Sequence, residues 1–430
     1  DRYKPSNTEI GNLPLWAQKM YAQRPNVLEV DQLYRSYYDT HSFQKNYHTQ
    51  YYKKWRRQVA DRIDQNGYAT EWTLAQKKAR IEYQPSHSRN ANWSVLGPFV
   101  VRASDGDTVA EQSNVYAVDQ CTNAPHVWYC GTETGEVYRS VDNAETWVNI
   151  SLSQNFDGGI TALEIHPNNP DIVFAGSGDF LLKSIDAGNN WTLVMAINNL
   201  QANEILILPN SPDTILLAGN AGLYRSTDAG NNWSQVFNQR SYDLKARVSN
   251  SDTLYLVKNN PSLNLCEFFS SSDAGVSWQQ QTLGWHSSSD AGRNDGGARL
   301  AVTAANPDRI YAYLIGESKT GDTGYIGLYR SDDGGQSWTL PNGPAGGPYT
   351  ATHANLAIGS SSWQYHQGFY NCALTASNNN ADHILLGGLN LYKSDDAGAS
   401  FSPLAGYVGG NYDIHVDMQD FRTVGNSTII

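Results

Sequence analysis

The sequence predicts a mainly β protein, a β-propeller of four-stranded blades that follows a small α-helical segment at the N-terminus. Two observations predict this fold class. After residue 93, one eight-residue pattern returns six times, each time among similar apolar strands and polar turns. The first 85 residues have the opposite charge balance and long stretches without glycine, which are typical of helices. Radial repetition of four antiparallel strands makes a propeller, which leaves only short sheet edges.

Composition and charge exclude several functional classes. Of the 430 residues, 17% are charged, 11% are aromatic and 37 are glycine, which is not the composition of a disordered chain. The formal charge is −12, whereas a nucleic-acid binder is normally basic, so we expect no nucleic-acid partner. No apolar run reaches the roughly 18 residues that a membrane span needs.

The N-terminal domain is predicted to cover residues 1–85. It has 14 Lys and Arg against 9 Asp and Glu, which leaves 16 and 33 of the chain's 30 and 42 for the remainder. We therefore expect this positive segment to pack against the acidic propeller. The apolar face of Tyr47, Tyr51 and Trp55, spaced by four, should contact a blade or another helix of the segment. The predicted helices are Leu13–Gln23, Val27–Thr40, Asn46–Asp64 and Glu71–Tyr83.

The pattern S-x-D-x-G-x-x-W marks the repeats, with Ala144 in place of its glycine in the first copy and Phe401 in place of its tryptophan in the last. The starting serines lie 44, 42, 45, 60 and 63 residues apart. One apolar strand comes before each copy, another follows it, and two more joined by a polar turn come earlier in the unit. These units predict a propeller domain over residues 86–430, with six recognisable blades and the start of a seventh that we expect to continue beyond the chain end. The copies are SVDNAETW at Ser140–Trp147, SIDAGNNW at Ser184–Trp191, STDAGNNW at Ser226–Trp233, SSDAGVSW at Ser271–Trp278, SDDGGQSW at Ser331–Trp338 and SDDAGASF at Ser394–Phe401.

The chemistry of the pattern predicts a hairpin staple. Its aspartate can accept backbone N–H bonds in the turn, its glycine can adopt positive φ, and its tryptophan fills space between strand layers. Six copies favour a structural role, because an active site occurs once. The structural residues predicted in this way are Asp142, Asp186, Asp228, Asp273, Asp333 and Asp396, with Trp147, Trp191, Trp233, Trp278 and Trp338.

With these motifs, the region from about Trp93 onward resembles the Asp-box propellers, which include the bacterial-neuraminidase-type (BNR) and sortilin-like repeats. That group includes sialidases, xyloglucan-cleaving glycosidases, photosystem assembly factors and sorting receptors, so the resemblance implies a fold and not one activity. A sialidase has an Arg-Ile-Pro segment near its first blade. Here FVVRAS at Phe99–Ser104 offers Arg102 without that segment, which argues against a sialidase.

A tyrosine-rich helical N-terminus joined to such a propeller is similar to secreted proteins of Bacteroidota. The resemblance implies export by the type IX secretion system, whose machinery is then a partner, and a secreted, extracellular or cell-surface location. A chain start without an apolar signal-like stretch fits a mature secreted protein whose signal was removed, or a chain that was trimmed at its N-terminus. The matching segments are LPLWAQKMYAQRPNVLEV, FQKNYHTQYYKKWRRQ, WSVLGP at Trp93–Pro98, QGFYNCAL at Gln367–Leu374 and YDIHVDMQDF at Tyr412–Phe421.

Two functions remain open at this point. The favoured one is a secreted or cell-surface propeller that binds a glycan or protein partner without catalysis, using a long insertion rich in aromatic residues. Its binding candidates are Tyr349, His353, Trp363, Tyr365, His366 and Phe369. The alternative is an extracellular, xyloglucanase-like glycoside hydrolase, which needs paired carboxylates across a cleft. Its catalytic candidates are Asp290, Asp295, Asp417 and Asp420.

The four cysteines and the cofactor motifs complete the prediction. Cys121 and Cys130 flank a turn at nearly equal distances from its centre, so we expect them to form a disulfide in an extracellular protein. Cys266 and Cys372 are expected to be free and buried. No glycine-rich phosphate loop, nucleophile elbow or zinc motif is present, so we expect no cofactor and no metal site.

Overall fold

The computed structural model divides the chain into two compact units, residues 1–77 and 78–430. The residues that it describes are 10–59, 63–70, 73, 75, 101–102, 108–110, 114–151, 154, 156–263, 265–285, 293–318, 325–342, 356–357, 368, 371–407, 417–424 and 428–429. Within these ranges, no helix has the length and apolar character needed to cross a bilayer.

The described part of the first unit includes the helices α1 at Leu15–Met20, α2 at Val27–Tyr38 and α3 at Tyr47–Gln58. Asn26 caps α2, because its side chain accepts a 3.0 Å hydrogen bond from the backbone N–H of Glu29. The fourth predicted helix, Glu71–Tyr83, falls almost entirely outside the described residues.

The third helix is shorter than predicted. It ends at Gln58 because a tight turn follows, in which Gly67 has a φ of +85° and residues Ile63 and Ala69 form a bridge. The carboxylate of Asp64, predicted as the last helical residue, instead accepts backbone N–H bonds within this turn.

An aromatic core joins the three helices. The ring of Trp16 is 2% exposed and lies 4.9 Å from that of Tyr34 in α2 and 5.8 Å from that of Tyr52 in α3. Tyr51 stacks on Tyr21 with the ring centroids 5.1 Å apart. The apolar face of α3 therefore contacts other parts of the helical segment, which is one of the two arrangements predicted for it.

The second unit contains six blades, as predicted, and each blade is an antiparallel sheet whose strands follow in chain order. Five blades have four strands. Blade 5 has three, and its fourth strand is reduced to a bridge between Arg330 and Thr339. Two short sheets, β1 at Val101–Arg102 with β2 at Thr108–Ala110, and β26 at Thr423–Val424 with β27 at Thr428–Ile429, are separate from these blades.

The blade strands, in chain order, are as follows. Blade 1 contains β3 Val115–Gln120, β4 Trp128–Thr132, β5 Val137–Ser140 and β6 Val148–Asn149; blade 2 contains β7 Ile160–Ile165, β8 Val173–Ser177, β9 Phe180–Ser184 and β10 Thr192–Ala196. Blade 3 contains β11 Ala202–Ile207, β12 Ile215–Gly219, β13 Gly222–Ser226 and β14 Ser234–Phe237; blade 4 contains β15 Ser241–Arg247, β16 Asn250–Asn260, β17 Leu265–Ser271 and β18 Gln279–Gln281. Blade 5 contains β19 Arg293–Val302, β20 Ile310–Ser318 and β21 Tyr325–Ser331; blade 6 contains β22 Ala373–Ala376, β23 Ile384–Gly387, β24 Asn390–Ser394 and β25 Ser402–Gly406.

Each pair of successive blades shares an apolar core. Both faces of a blade are thus covered, which explains why a strand such as β12 is an unbroken apolar run with every residue buried. Representative pairs that share a core are Tyr129 with Leu163, Phe174 with Ile205, Leu216 with Leu254, Phe268 with Leu300, and Tyr311 with Leu374.

The first strand of each blade contacts the first strand of the next blade, so these inner strands surround the axis of the ring. Residues 417–424 continue the circle. Arg422 Nε donates a 2.9 Å bond to the carbonyl of Val118 in blade 1, and the Thr423 hydroxyl donates a 3.1 Å bond to the carbonyl of Ala376 in blade 6. We call residues 417–424 the closing segment, because it lies between the last and first blades, where a seventh blade was predicted to begin.

Candidate functional site

Charged side chains converge on the axis of the propeller. All of them come from inner strands or from the closing segment, and five are carboxylates whereas two are cations. We call this group the axial cluster: Asp119 on β3, Glu164 on β7, Glu204 on β11, Asp243 and Lys245 on β15, and Asp420 and Arg422 on the closing segment.

Glu204 is the meeting point of the two cations. Its Oε1 lies 2.6 Å from Lys245 Nζ and 3.4 Å from Arg422 Nη1. Lys245 Nζ also lies 3.1 Å from Asp243 Oδ1, and Arg422 Nε lies 3.6 Å from Asp420 Oδ2. The ion pairs therefore join blades 3 and 4 to the closing segment.

Four carboxylates of the axial cluster bind the backbone of the next inner segment. An inner strand has a sheet partner on one side only, so its other side has unpaired N–H groups that need an acceptor. These bonds are Ile165 N to Asp119 Oδ2 at 2.7 Å, Ile207 N to Glu164 Oε1 at 3.4 Å, Leu300 N to Asp243 Oδ2 at 2.7 Å and Val118 N to Asp420 Oδ2 at 3.5 Å. The carboxylates thus act as links between neighbouring blades.

Burial shifts the protonation of most of these carboxylates. Loss of water raises the pKa of Asp119 and of Asp243 to about 6. Burial likewise raises the pKa of Asp420, and it raises that of Glu164 well above its ordinary value, with a further increase from the neighbouring charge of Asp119. The axial cluster therefore holds carboxyl groups, Glu164 among them, that bind a proton more readily than a carboxyl group in water does.

Glu204 behaves in the opposite way. Burial alone would raise its pKa, but the positive charges of Lys245 and Arg422 lower it below the ordinary value. The pKa values of Lys245 and Arg422 are raised, because their carboxylate neighbours outweigh the loss of water. Glu204 is thus the carboxylate of the group that is most firmly ionised.

The catalytic candidates from the sequence have different surroundings. Asp420 belongs to the axial cluster, and its side chain is 24% exposed. Asp417 has a φ of +80°, and its Oδ1 accepts a 2.7 Å bond from the side chain of Asn371. Asp295 lies on β19, but its side chain and the whole of Asp290 are outside the described residues.

The six binding candidates all fall in the long insertion before blade 6. Tyr349, His353, Trp363, Tyr365, His366 and Phe369 lie outside the described residues. Their role stays a prediction. In the part of the chain that the structure describes, no group of three or more His, Cys, Asp or Glu residues is arranged to hold a metal ion.

Each of the six repeat motifs forms the same hydrogen-bonded turn. In blade 3 the Ser226 hydroxyl donates to Asp228 Oδ1 at 2.8 Å and accepts from the N–H of Gly230 at 3.0 Å. Asn232 donates its backbone N–H to Asp228 Oδ1 at 2.8 Å and its side-chain amide to Oδ2 at 2.6 Å. Equivalent bonds occur at Asp142, Asp186, Asp273, Asp333 and Asp396.

These bonds lower the pKa of every motif aspartate. Donors from the residue four positions later are the largest lowering influence, and the pKa values of Asp142, Asp228 and Asp273 fall to about 2. The motif carboxylates are therefore firmly ionised acceptors within their own turns.

The motif tryptophans lie at the blade edges. Trp147, Trp233 and Trp278 each donate an indole N–H bond of 3.0–3.1 Å to the carbonyl three residues earlier. Trp191 packs against the core between blades 1 and 2, and Trp338, which is 4% exposed, belongs to the core between blades 4 and 5.

The predicted disulfide is wrong. Cys121 and Cys130 are both free, buried cysteines. The strand register explains the difference: Cys130 is opposite Val118, while Cys121 lies beyond the end of β3 and its thiol faces the carbonyls of His166 and Pro167 at 3.8 Å. The other two cysteines are buried thiols, as predicted.

Comparison with known proteins supports the repeat type. Residues 107–304, less than half of the chain, match the family model described as photosynthesis system II assembly factor YCF48. The fold is a six-bladed β-propeller with BNR-type repeats. No curated protein matches this BNR-type propeller.

Solved structures share the fold at low sequence identity. The extracellular domain of a putative hybrid two component system from B. thetaiotaomicron is 12% identical, with a TM-score of 0.52 over 77% of this chain and 38% of that chain. A GH74 xyloglucanase from Xanthomonas campestris is 18% identical, with a TM-score of 0.49 over 66% and 45%. YCF48 from Cyanidioschyzon merolae is 14% identical, with a TM-score of 0.45 over 69% and 86%. The BNR-type propeller thus spans less than half the length of the first two proteins.

Sequence reasoning missed the axial cluster. A signal for it exists, because Glu164 in ITALEI and Glu204 in ANEILI are acidic residues within otherwise apolar first strands of their units. An ionisable residue within a buried run needs a partner. The partners, Lys245 and Arg422, lie in other repeats, and their proximity depends on closure of the ring.

Proposed function

We propose that this BNR-type propeller is a non-catalytic binding protein, secreted or on the cell surface, with a glycan or protein ligand. The observation that carries the proposal is the use of its carboxylates. The motif aspartates accept bonds within their own turns, and the axial carboxylates bind Lys245, Arg422 and backbone N–H groups of neighbouring blades. These groups stabilise the scaffold, which leaves its loops to carry the function.

The ligand surface that we propose is the long insertion at Pro341–Phe369. In the sequence it follows blade 5 and ends just before Asn371, which precedes the inner strand β22. Its tryptophan and tyrosine residues are suited to stacking on sugar rings or to anchoring a protein partner. A binding surface of this kind needs aromatic and polar contacts, and no reacting carboxylate.

The test measures binding by the intact chain to plant, algal and bacterial polysaccharides, using affinity electrophoresis. Trp363→Ala and Tyr365→Ala are expected to weaken binding at least tenfold. Phe43→Ala is the matched control, since Phe43 is an exposed aromatic residue in the helical unit, and it should bind as the wild type does. If the wild type, the two insertion variants and the control variant all bind equally well, the insertion is excluded as the ligand surface.

The runner-up is an extracellular glycoside hydrolase. The observation in its favour is the axial cluster, in which burial raises the pKa of Glu164 while the neighbouring cations lower the pKa of Glu204, because glycosidases combine a carboxyl group of raised pKa with a second carboxylate. Two features oppose it: Glu164 is bonded to the Ile207 N–H, and Glu204 is bonded to two cations.

Export by the type IX secretion system is the third part of the proposal, and it rests on the resemblance of the N-terminal and late propeller segments to secreted Bacteroidota proteins. Immunodetection in fractions of the source cells tests it. Protein in the medium or on the outer surface, which disappears when that secretion system is deleted, is the expected result. Protein confined to the cytosol would contradict it.

A further inference from the structure

On the blade 1 side, the closing segment is held to the ring through charged and polar contacts, whereas on the blade 6 side Met418 and Phe421 pack over Gly387. Arg422 pairs with Glu204 and Asp420 and bonds to the Val118 carbonyl, while Asp420 accepts the Val118 N–H. On the blade 6 side, the Thr423 hydroxyl lies 2.8 Å from that of Thr375. The segment therefore joins three parts of the ring that are far apart in the sequence, and its hold depends on the protonation of the groups around Arg422.

The charges at the axis do not balance. Asp119, Glu164 and Glu204 face Arg422 from three successive inner strands, whereas Lys245 is paired with Glu204 and Asp243. Like charges at short range in a partly dry site cannot all be ionised without repulsion, so the cluster binds protons when the segment is closed.

We propose that the closing segment is a pH-sensitive clasp, which holds the ring of inner strands most tightly under acidic conditions and loosens as the pH rises toward neutrality. This inference does not depend on which ligand the propeller binds. It follows from the five carboxylates and two cations that meet where the segment closes the ring.

The groups around the clasp agree on the direction. A carboxylate whose pKa is raised in the closed state stabilises that state fully below its ordinary pKa, and this effect is lost as the pH rises through the raised pKa. For Asp119, whose pKa is raised to about 6, the loss begins near its ordinary pKa of about 4 and is nearly complete at pH 7. Asp420, Glu164 and Asp243 are shifted in the same direction by burial. Glu204 is shifted downward and limits the effect at the acid end, because its ion pairs weaken below its ordinary pKa.

Other charged groups near the clasp do not reverse this direction. Asp417 accepts a bond from Asn371 and interacts electrostatically with Tyr407, which does not titrate in this range because its pKa is raised. Arg299 of blade 5 donates to the carbonyl of Cys372 and stays charged throughout.

Hydrogen exchange of the intact chain at pH 5 and pH 7, corrected for intrinsic rates, tests the proposal. Consider a single carboxylate whose pKa is about 6 in the closed state and returns to its ordinary value when the segment opens. Its protonation favours the closed state roughly tenfold more at pH 5 than at pH 7. Peptides that cover the closing segment and β3 should therefore be roughly tenfold more protected at pH 5. Asp119→Asn should lose most of this tenfold difference, because asparagine can still accept the Ile165 N–H but does not titrate.

Asp171→Asn is the matched control, since Asp171 is an exposed partner of Arg139 away from the axis. It should keep the wild-type difference between the two pH values. Equal protection of the wild type at both values, greater protection at pH 7, or an unchanged difference in Asp119→Asn would each overturn the proposal. The wild-type comparison decides the matter even if the variant does not fold.

Discussion

Gly230→Ala offers a sharp test of how the repeat motif fits between blades. Gly230 has a φ of +84°, and a Cβ placed there would lie 2.8 Å from Cε1 of Phe174 in blade 2. The left-handed backbone costs about 1–2 kcal/mol for alanine, and overpacking against a buried ring costs about 1–3 kcal/mol. The smaller entropy of the unfolded alanine chain offsets about 0.4–1 kcal/mol of this. We therefore expect the free energy of unfolding to fall by about 1–5 kcal/mol, measured by urea denaturation.

The chain contains its own control for this substitution. In blade 1 the same motif position is Ala144, with a φ of +65°, so alanine is tolerated there. Ala144→Gly should change the free energy of unfolding by less than about 1 kcal/mol, because only the backbone contribution changes. Phe174→Leu combined with Gly230→Ala should recover part of the loss through a favourable coupling. A Gly230→Ala protein as stable as the wild type would refute the packing argument.

Three further predictions concern the motif, the thiols and the contacts between blades. The pKa of Asp273 is lowered to about 2, so its stabilising effect is present above pH 4 and is lost as the pH falls through 2. The urea concentration at the unfolding midpoint should therefore change less between pH 4 and pH 2 in Asp273→Asn than in the wild type. All four cysteines should react with a thiol reagent when the protein is denatured without reductant. In the folded protein Cys130 should be inert, because burial raises its pKa to about 11. Mass spectrometry that finds a Cys121–Cys130 disulfide would contradict this prediction. Arg225→Met removes the 2.9 Å hydrogen bond that Arg225 Nε of blade 3 donates to the Ala274 carbonyl of blade 4. Thermal unfolding should show a stability lower by about 1–2 kcal/mol. An unchanged melting temperature would exclude a role for that contact.

The repeat made the fold predictable, because one unit of sequence specifies one blade. The turn chemistry of the motif was also predictable, apart from the left-handed alanines: Ala229 has a φ of +56°, and nothing about an alanine indicates this. The backbone N–H of Ala229 donates a hydrogen bond to the carbonyl of Asp213, a residue that lies two turns earlier in the same unit. This bond compensates for the unfavourable conformation of Ala229.

The axial cluster was less accessible to sequence reasoning. Its acidic residues stand out within apolar strands, but their partners do not, since Arg422 and Glu204 are separated by most of the propeller in sequence. The disulfide prediction failed for a related reason. The distance of each cysteine from the turn centre did not give the register, and β3 ends at Gln120, one residue before Cys121.

The central claim is that the propeller binds its ligand without cleaving it. The most direct measurement is the release of reducing ends from each polysaccharide that the intact chain binds, followed over long incubation. We predict binding with no release above the rate without protein, and the same binding by Asp295→Asn and Asp417→Asn. Release of reducing ends that disappears in Asp295→Asn or Asp417→Asn would contradict the claim and establish a glycoside hydrolase.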